Sequence, residues 1–107
     1  MPQSPIEEIV SPNLIELTIS YLEYQRKEVK NKKADLKMRD LPALKIWAHQ
    51  LKGTGASYGL KKGGKLAETL EELLQAATPE WGAIDSICLT LFSYFETVEL
   101  KLNEEET

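Results

Sequence analysis

The sequence predicts an all-α protein, an antiparallel up-down four-helix bundle with room for a short extra N-terminal segment. Three observations predict it. Apolar residues recur at the three-and-four spacing of a helix buried on one side. Helix-start chemistry recurs at Ser11-Pro12, at Asp40 and at Thr78-Pro79. No stretch shows convincing strand alternation. Connections between the later helices are short, which favours antiparallel neighbours.

The first helix is expected to open at Ser11, an N-cap followed by a proline in the first turn. Val10, Leu14, Leu17, Tyr21 and Tyr24 form its main face, and Ile15, Ile19 and Leu22 flank that face, so burial on more than one side is expected. The helix continues past Val29 towards Leu36 through a lysine-rich segment. Asp40 caps the second helix, which tolerates Pro42 in its first turn. Its stripe over 40–58 is Leu44, Trp47, Ala48, Leu51, Gly55 and Tyr58, with Gly59 as the stop. Gly63-Gly64 suggests a loop or frayed start before a third helix. That helix has Leu66, Leu70, Leu73 and Leu74 on one side and Glu68, Glu71 and Glu72 towards solvent. The fourth follows Thr78-Pro79 and runs through Ile84, Ile87, Cys88, Leu91, Phe95, Val98 and Leu102 to the acidic tail 103–107.

The chain of 107 residues suits one domain with one core, the bundle occupying about 11–103. Its 42% hydrophobic and 28% charged residues are ordinary for a globular protein. No apolar run approaches bilayer length, and Met1-Pro2-Gln3-Ser4-Pro5 does not open a signal peptide, so no membrane partner is expected. The single cysteine, Cys88, sits among apolar neighbours as a small core residue of a reducing compartment, which makes the cytoplasm the expected location. A net charge of −4 argues against nucleic acid as the main partner. The basic run 26–33 reads first as a solvated helix face.

One residue does not fit a purely structural account. His49 is the only histidine, and at 100° per residue it points about 140° away from the middle of the apolar stripe of its helix. A histidine on a helix surface is more often solvated than functional. Here, though, Lys45, Ile46, His49, Lys52, Gly53 and Ala56 share the outer face. Gly53 costs about 1 kcal/mol relative to alanine in a helix interior, and close internal packing cannot justify it on the solvent side. Its value is to leave the imidazole uncovered. Ile46 is an exposed apolar residue that suits a docking surface.

Such an imidazole can serve as a base, a metal ligand or a nucleophile. As a ligand it lacks partners, with one distant cysteine and carboxylates mostly on other faces. As a base it lacks an obvious pocket. As a nucleophile towards a phosphoryl group it makes chemical sense, with Lys52 supplying positive charge near the oxygens.

The segment Ala48-His49-Gln50-Leu51-Lys52-Gly53, followed by Gly59, Leu66 and the pair Leu70-Glu71, resembles the signature of histidine-containing phosphotransfer (HPt) domains. Asp40 and Leu44 stand where that family often has an acidic residue and a leucine. The resemblance spans about 40–74, and Thr54 and Gly55 depart mildly from the serine or alanine common there. It implies a four-helix bundle that relays phosphoryl groups in multi-step two-component signalling. His49 would be the phosphorylated residue, Lys52 the neutralising cation and Gly53 the access residue, with Lys45, Ile46 and Ala56 as docking positions. Partners would be receiver domains of response regulators and a hybrid sensor histidine kinase. The chain would carry no kinase site and no cofactor of its own, the magnesium being held by the receiver, and a monomer is expected.

Other functions stay open at this point. The chain could be a histidine module charged directly by a chemotaxis-type kinase, or a non-catalytic helical adaptor that docks receivers or other signalling proteins without being phosphorylated. A third, an anionic-surface binder, would use Lys27, Lys30, Lys32 and Lys33.

Overall fold

The computed structural model describes residues 5–103. The remainder, including the first residues 1–4 and the end of the expected acidic tail, 104–107, lies outside the described residues. Four helices follow one another as α1 (Ile15–Lys37), α2 (Leu41–Gly55), α3 (Lys61–Leu74) and α4 (Trp81–Thr97). The helical bundle expected from the apolar periodicity is therefore present. Neighbours pack as α1 on α2, α2 on α3, α3 on α4 and α4 back on α1. The core between them is built from Leu22, Leu44, Trp47, Leu51, Leu70, Ile84, Leu91 and Phe95, all nearly inaccessible. Trp47 stacks on Phe92 at 5.8 Å between ring centroids, which joins α2 to α4. Cys88 is a free, buried core thiol.

The expectation of no strands is overturned. Two short strands, β1 (Glu7–Val10) and β2 (Glu99–Leu102), form a parallel ribbon with Glu7 opposite Glu99 and Val10 opposite Leu102. The ribbon corrects both ends of the bundle. Val10 is buried against Gly59, so the chain stays extended to that point. A turn at 11–14 then redirects it, closed by Leu14 N donating to Ser11 O at 2.9 Å. Ser11 therefore caps no helix, and α1 starts at Ile15 with Leu14 as its N-cap. The fourth helix likewise stops at Thr97, because Val98 adopts an extended ψ of 135°. Leu102 belongs to β2 and is half exposed rather than part of a helical stripe.

The face of α1 is also corrected. Its buried residues are Thr18, Leu22, Gln25, Val29 and Leu36, whereas Leu17, Ile19 and Tyr24 are exposed. Two polar side chains sit in the buried stripe because each has a partner. Thr18 Oγ1 donates to Tyr58 O at 2.6 Å, and Gln25 Oε1 accepts from Trp47 Nε1 at 3.1 Å.

The second helix ends at Gly55, three residues before the expected Tyr58. The chain leaves it through a turn in which Gly59 adopts a φ of +85°, a left-handed conformation suited to glycine. Gly63 and Gly64 lie inside α3 and are buried, not in a loop. A Cβ on Gly63 would lie 2.6 Å from the Tyr94 ring, and one on Gly55 would lie 3.0 Å from the Gly64 backbone. Helices α2 and α3 cross closely at that glycine pair. Finally, Glu80 rather than Thr78 occupies the N-cap position of α4, without a side-chain capping bond, and Pro79 precedes the helix instead of entering it.

Candidate functional site

The site is set by where α2 begins and where it touches α3. Asp40 caps α2, its side chain accepting from Ala43 N at 3.1 Å. From that start Leu44, Trp47, Ala48 and Leu51 turn into the core, and His49 turns outward with its side chain 80% exposed. The crossing at Gly55 and Gly64 holds the two helices close. Six residues back along α2 and seven forward along α3 stand His49 and Glu71, antiparallel neighbours across the groove.

Glu71 is the residue the sequence placed in solvent, and that placement was wrong. Its side chain is only 14% exposed. Oε2 lies 2.8 Å from His49 Nδ1, and Oε1 accepts from Lys52 Nζ at 3.1 Å. The hydrogen bonds from His49 and then Lys52 hold the Glu71 carboxyl below its ordinary range, so the group is ionised and acts only as an acceptor. The hydrogen on the imidazole must therefore sit on Nδ1, an assignment that follows from the hydrogen-bond network. The Nε2 edge of the ring is left facing outward. Lys52 is raised in turn, chiefly by the same bond to Glu71. The Leu70-Glu71 pair was visible in the sequence, but helix periodicity could not show that Glu71 reaches across to a second helix.

Gly53 stands beside His49 with nothing within 4 Å of a Cβ built on it. It is therefore not required by packing. Ile46 is 61% exposed, and Lys45 and Ala56 are exposed as well, although Ala56 lies just beyond the helix as its C-cap. Beyond Lys52, a cleft of about 380 Å³ opens between α2 and α3, lined by Ala56, Lys61, Gly64, Lys65 and Glu68. The sequence did not single out Lys61 and Lys65, which come from the far side of the α2–α3 turn. Among the described residues no group of three or more histidine, cysteine or acidic side chains gathers as a metal site. No described helix is long and apolar enough to cross a membrane.

The helical bundle thus exposes one imidazole from the middle of a helix, backed by a carboxylate and flanked by a lysine and an open glycine. The Hpt domain family model matches residues 16–103, and the chain belongs to that family, whose role is histidine phosphotransfer in phosphorelays with receiver domains. The match takes in all four helices except the first residue of α1, and it includes β2 but not β1. No curated protein and no solved structure matches the chain.

Proposed function

We propose that the chain is a phosphorelay intermediate in which His49 accepts a phosphoryl group from a receiver-domain aspartate and passes it to a second receiver. One observation carries this reading: Glu71 holds Nδ1 at 2.8 Å, so the outward Nε2 is the nitrogen with a free lone pair. In the forward step that lone pair attacks phosphorus in line. The Nε2–P bond forms as the P–O bond to the aspartyl carboxylate breaks, and the carboxylate stays with the receiver. The hydrogen stays on Nδ1, donated to Glu71 throughout, and the carboxylate offsets the positive charge that the ring gains. Lys52, already on the same carboxylate, exchanges part of its contact for a phosphoryl oxygen. The onward step is the reverse, with the second receiver's aspartate as the attacking group.

On this reading the chain has no kinase site, and magnesium is supplied by the receiver. Ile46, Lys45 and Ala56 dock the partner around the imidazole, and the lysine-lined cleft beyond Lys52 favours an acidic loop of the receiver. The phosphoryl donor would be the receiver of a hybrid sensor histidine kinase.

The test is transfer from a receiver charged with labelled phosphate to the wild type and to His49→Gln. Label that is acid-labile and base-stable, on the wild type alone, is expected. Equal labelling of His49→Gln would overturn the proposal. No label from any of a panel of receivers, with binding retained, would instead make the chain a docking adaptor.

A further inference from the structure

The basic run of α1 is not used by the histidine face. On a helix, Arg26, Lys30, Lys33 and Lys37 stand at successive three-and-four spacings and so form one stripe along the edge that faces α4. Contacts across that edge confirm the direction. Arg26 Nε donates to Phe95 O at 2.8 Å, and Lys33 pairs with Glu96 at 3.0 Å. Arg39, just past the helix, grips Asp85 through both guanidinium nitrogens and covers the Trp81 ring at 4.5 Å. Lys30 and Lys37 are exposed and have no partner among the described residues.

Beneath this basic edge lies an apolar cleft of about 350 Å³ between the C-terminal half of α1 and the N-terminal half of α4. Leu36 and Phe92 form its floor, and Leu89, 61% exposed, stands at its wall. The cleft is on the far side of the bundle from the groove between α2 and α3 that holds His49 and Glu71. In a chain of net charge −4, a stripe of cations over an apolar floor is a local inversion that phosphotransfer does not explain.

We propose that this α1–α4 cleft docks an acidic amphipathic helix of a partner protein, on the side of the bundle opposite the histidine. Two antiparallel helices with an apolar floor between them form the groove into which a third helix lays an apolar face. Acidic residues flanking that face meet Lys30 and Lys37 directly, and they compete for Lys33, whose pair with Glu96 is a surface pair of small net worth. A continuous anionic surface fits less well. Phosphates would leave the apolar floor of Leu36, Leu89 and Phe92 uncovered. Because the two faces are separate, the chain can hold this helix while His49 is engaged with a receiver.

The experiment titrates the full chain with a synthetic helix of about 15 residues, leucines along one face and glutamates on both flanks. A second peptide replaces the glutamates by lysines, and vesicles of mixed phosphatidylserine and phosphatidylcholine serve as the phosphate comparison. Binding of the acidic helix alone is expected, with NMR shifts at Leu36, Leu89 and Phe92 and none at His49. Leu89→Asp, and Lys30→Glu combined with Lys37→Glu, should each weaken it about tenfold or more, which corresponds to about 1.4 kcal/mol. His49→Gln should bind as the wild type does, so the docking result stands or falls apart from the phosphorelay reading. Shifts confined to the His49 face, equal binding by the charge-reversed protein, preference for the vesicles, or no binding would each overturn the proposal.

Discussion

Replacing Glu71 by glutamine keeps the shape of the side chain and removes its charge, so it separates positioning from electrostatics. The amide can still hold Nδ1–H through its oxygen, but it no longer offsets charge on the ring or on Lys52. Phosphoryl acceptance by Glu71→Gln should slow by about tenfold while receiver affinity changes little; a rate equal to wild type in stopped transfer assays would remove Glu71 from the site. The same pair has a pH signature. The carboxyl is held below its ordinary value, so its interaction with His49 and Lys52 is complete above the usual carboxylate range and is lost only as pH falls through the lowered folded value. NMR of the Glu71 carboxyl carbon should therefore give a midpoint below that of a solvent-exposed glutamate, and an ordinary midpoint would contradict the geometry. Gly53 gives a further residue-scale contrast. Alanine meets nothing there and should stabilise the helix by about 1 kcal/mol, read from denaturant unfolding. Gly53→Glu should keep the helical signal and block transfer, because a charged side chain would then cover the imidazole. His49, Lys52 and Gly53 could be found in the sequence because exposure on a known helix face follows from periodicity. Glu71 could not be placed, because its role depends on how closely a second helix approaches.

At the scale of the elements, that approach rests on glycines that look like loop residues. Gly63-Gly64 suggested a turn because glycine pairs usually break helices, yet both are buried inside α3. Tertiary contact overrides propensity at Gly63, where a Cβ would run into the Tyr94 ring, while the Gly64 backbone lies 3.0 Å from where a Cβ on Gly55 would stand. Gly63→Ala should therefore destabilise the fold by about 1–3 kcal/mol in spite of alanine's better helix propensity. Thermal unfolding checks it, since a loss of that size lowers Tm by roughly 4–8 °C per kcal/mol. The contrast with Gly53, in α2, makes the pair diagnostic. The face of α1 was misread for a related reason. Its buried stripe includes Thr18 and Gln25, whereas exposed Leu17, Ile19 and Tyr24 imitate a core face. Hydrophobicity alone cannot identify a polar residue that is buried because its partner is waiting. The α1–α2 turn shows the same dependence on context. Arg39 takes a positive φ of 54° that usually favours glycine or asparagine, and it is the residue held between Asp85 and Trp81.

For the whole molecule, the described residues form one core, and Cys88 reports on it. Burial, with a smaller contribution from Asp85, pushes its thiol up to about 12. A thiol reagent at neutral pH should label Cys88 only at the rate at which the bundle opens; labelling of the native chain at the rate of free cysteine would show the core to be loose. The ribbon is the part of the architecture that the sequence hid most completely. Four residues are too few for alternation to register, and β1 pairs with a segment at the far end of the chain. It is also joined to the bundle by a buried carboxylate. Glu8 Oε2 accepts from Tyr94 Oη at 2.5 Å, from Lys62 N at 2.8 Å and from Gly63 N at 3.1 Å, so β1 caps the start of α3. Burial raises the Tyr94 hydroxyl and keeps it a donor, with the bond to Glu8 acting in the same direction. Tyr94→Phe should cost about 1–3 kcal/mol by leaving that carboxylate one donor short, with little effect on transfer.

The parallel sense of the two strands also has a mechanical meaning. Tension applied between residues 5 and 103 draws β1 backwards and β2 forwards along the same line, so their cross-links are loaded together in shear rather than opened one after another. An antiparallel pair joined at the same ends would unzip. The ribbon thus places a tensile lock between the two ends of the helical domain, and the bundle is shielded from stretching until that lock slips.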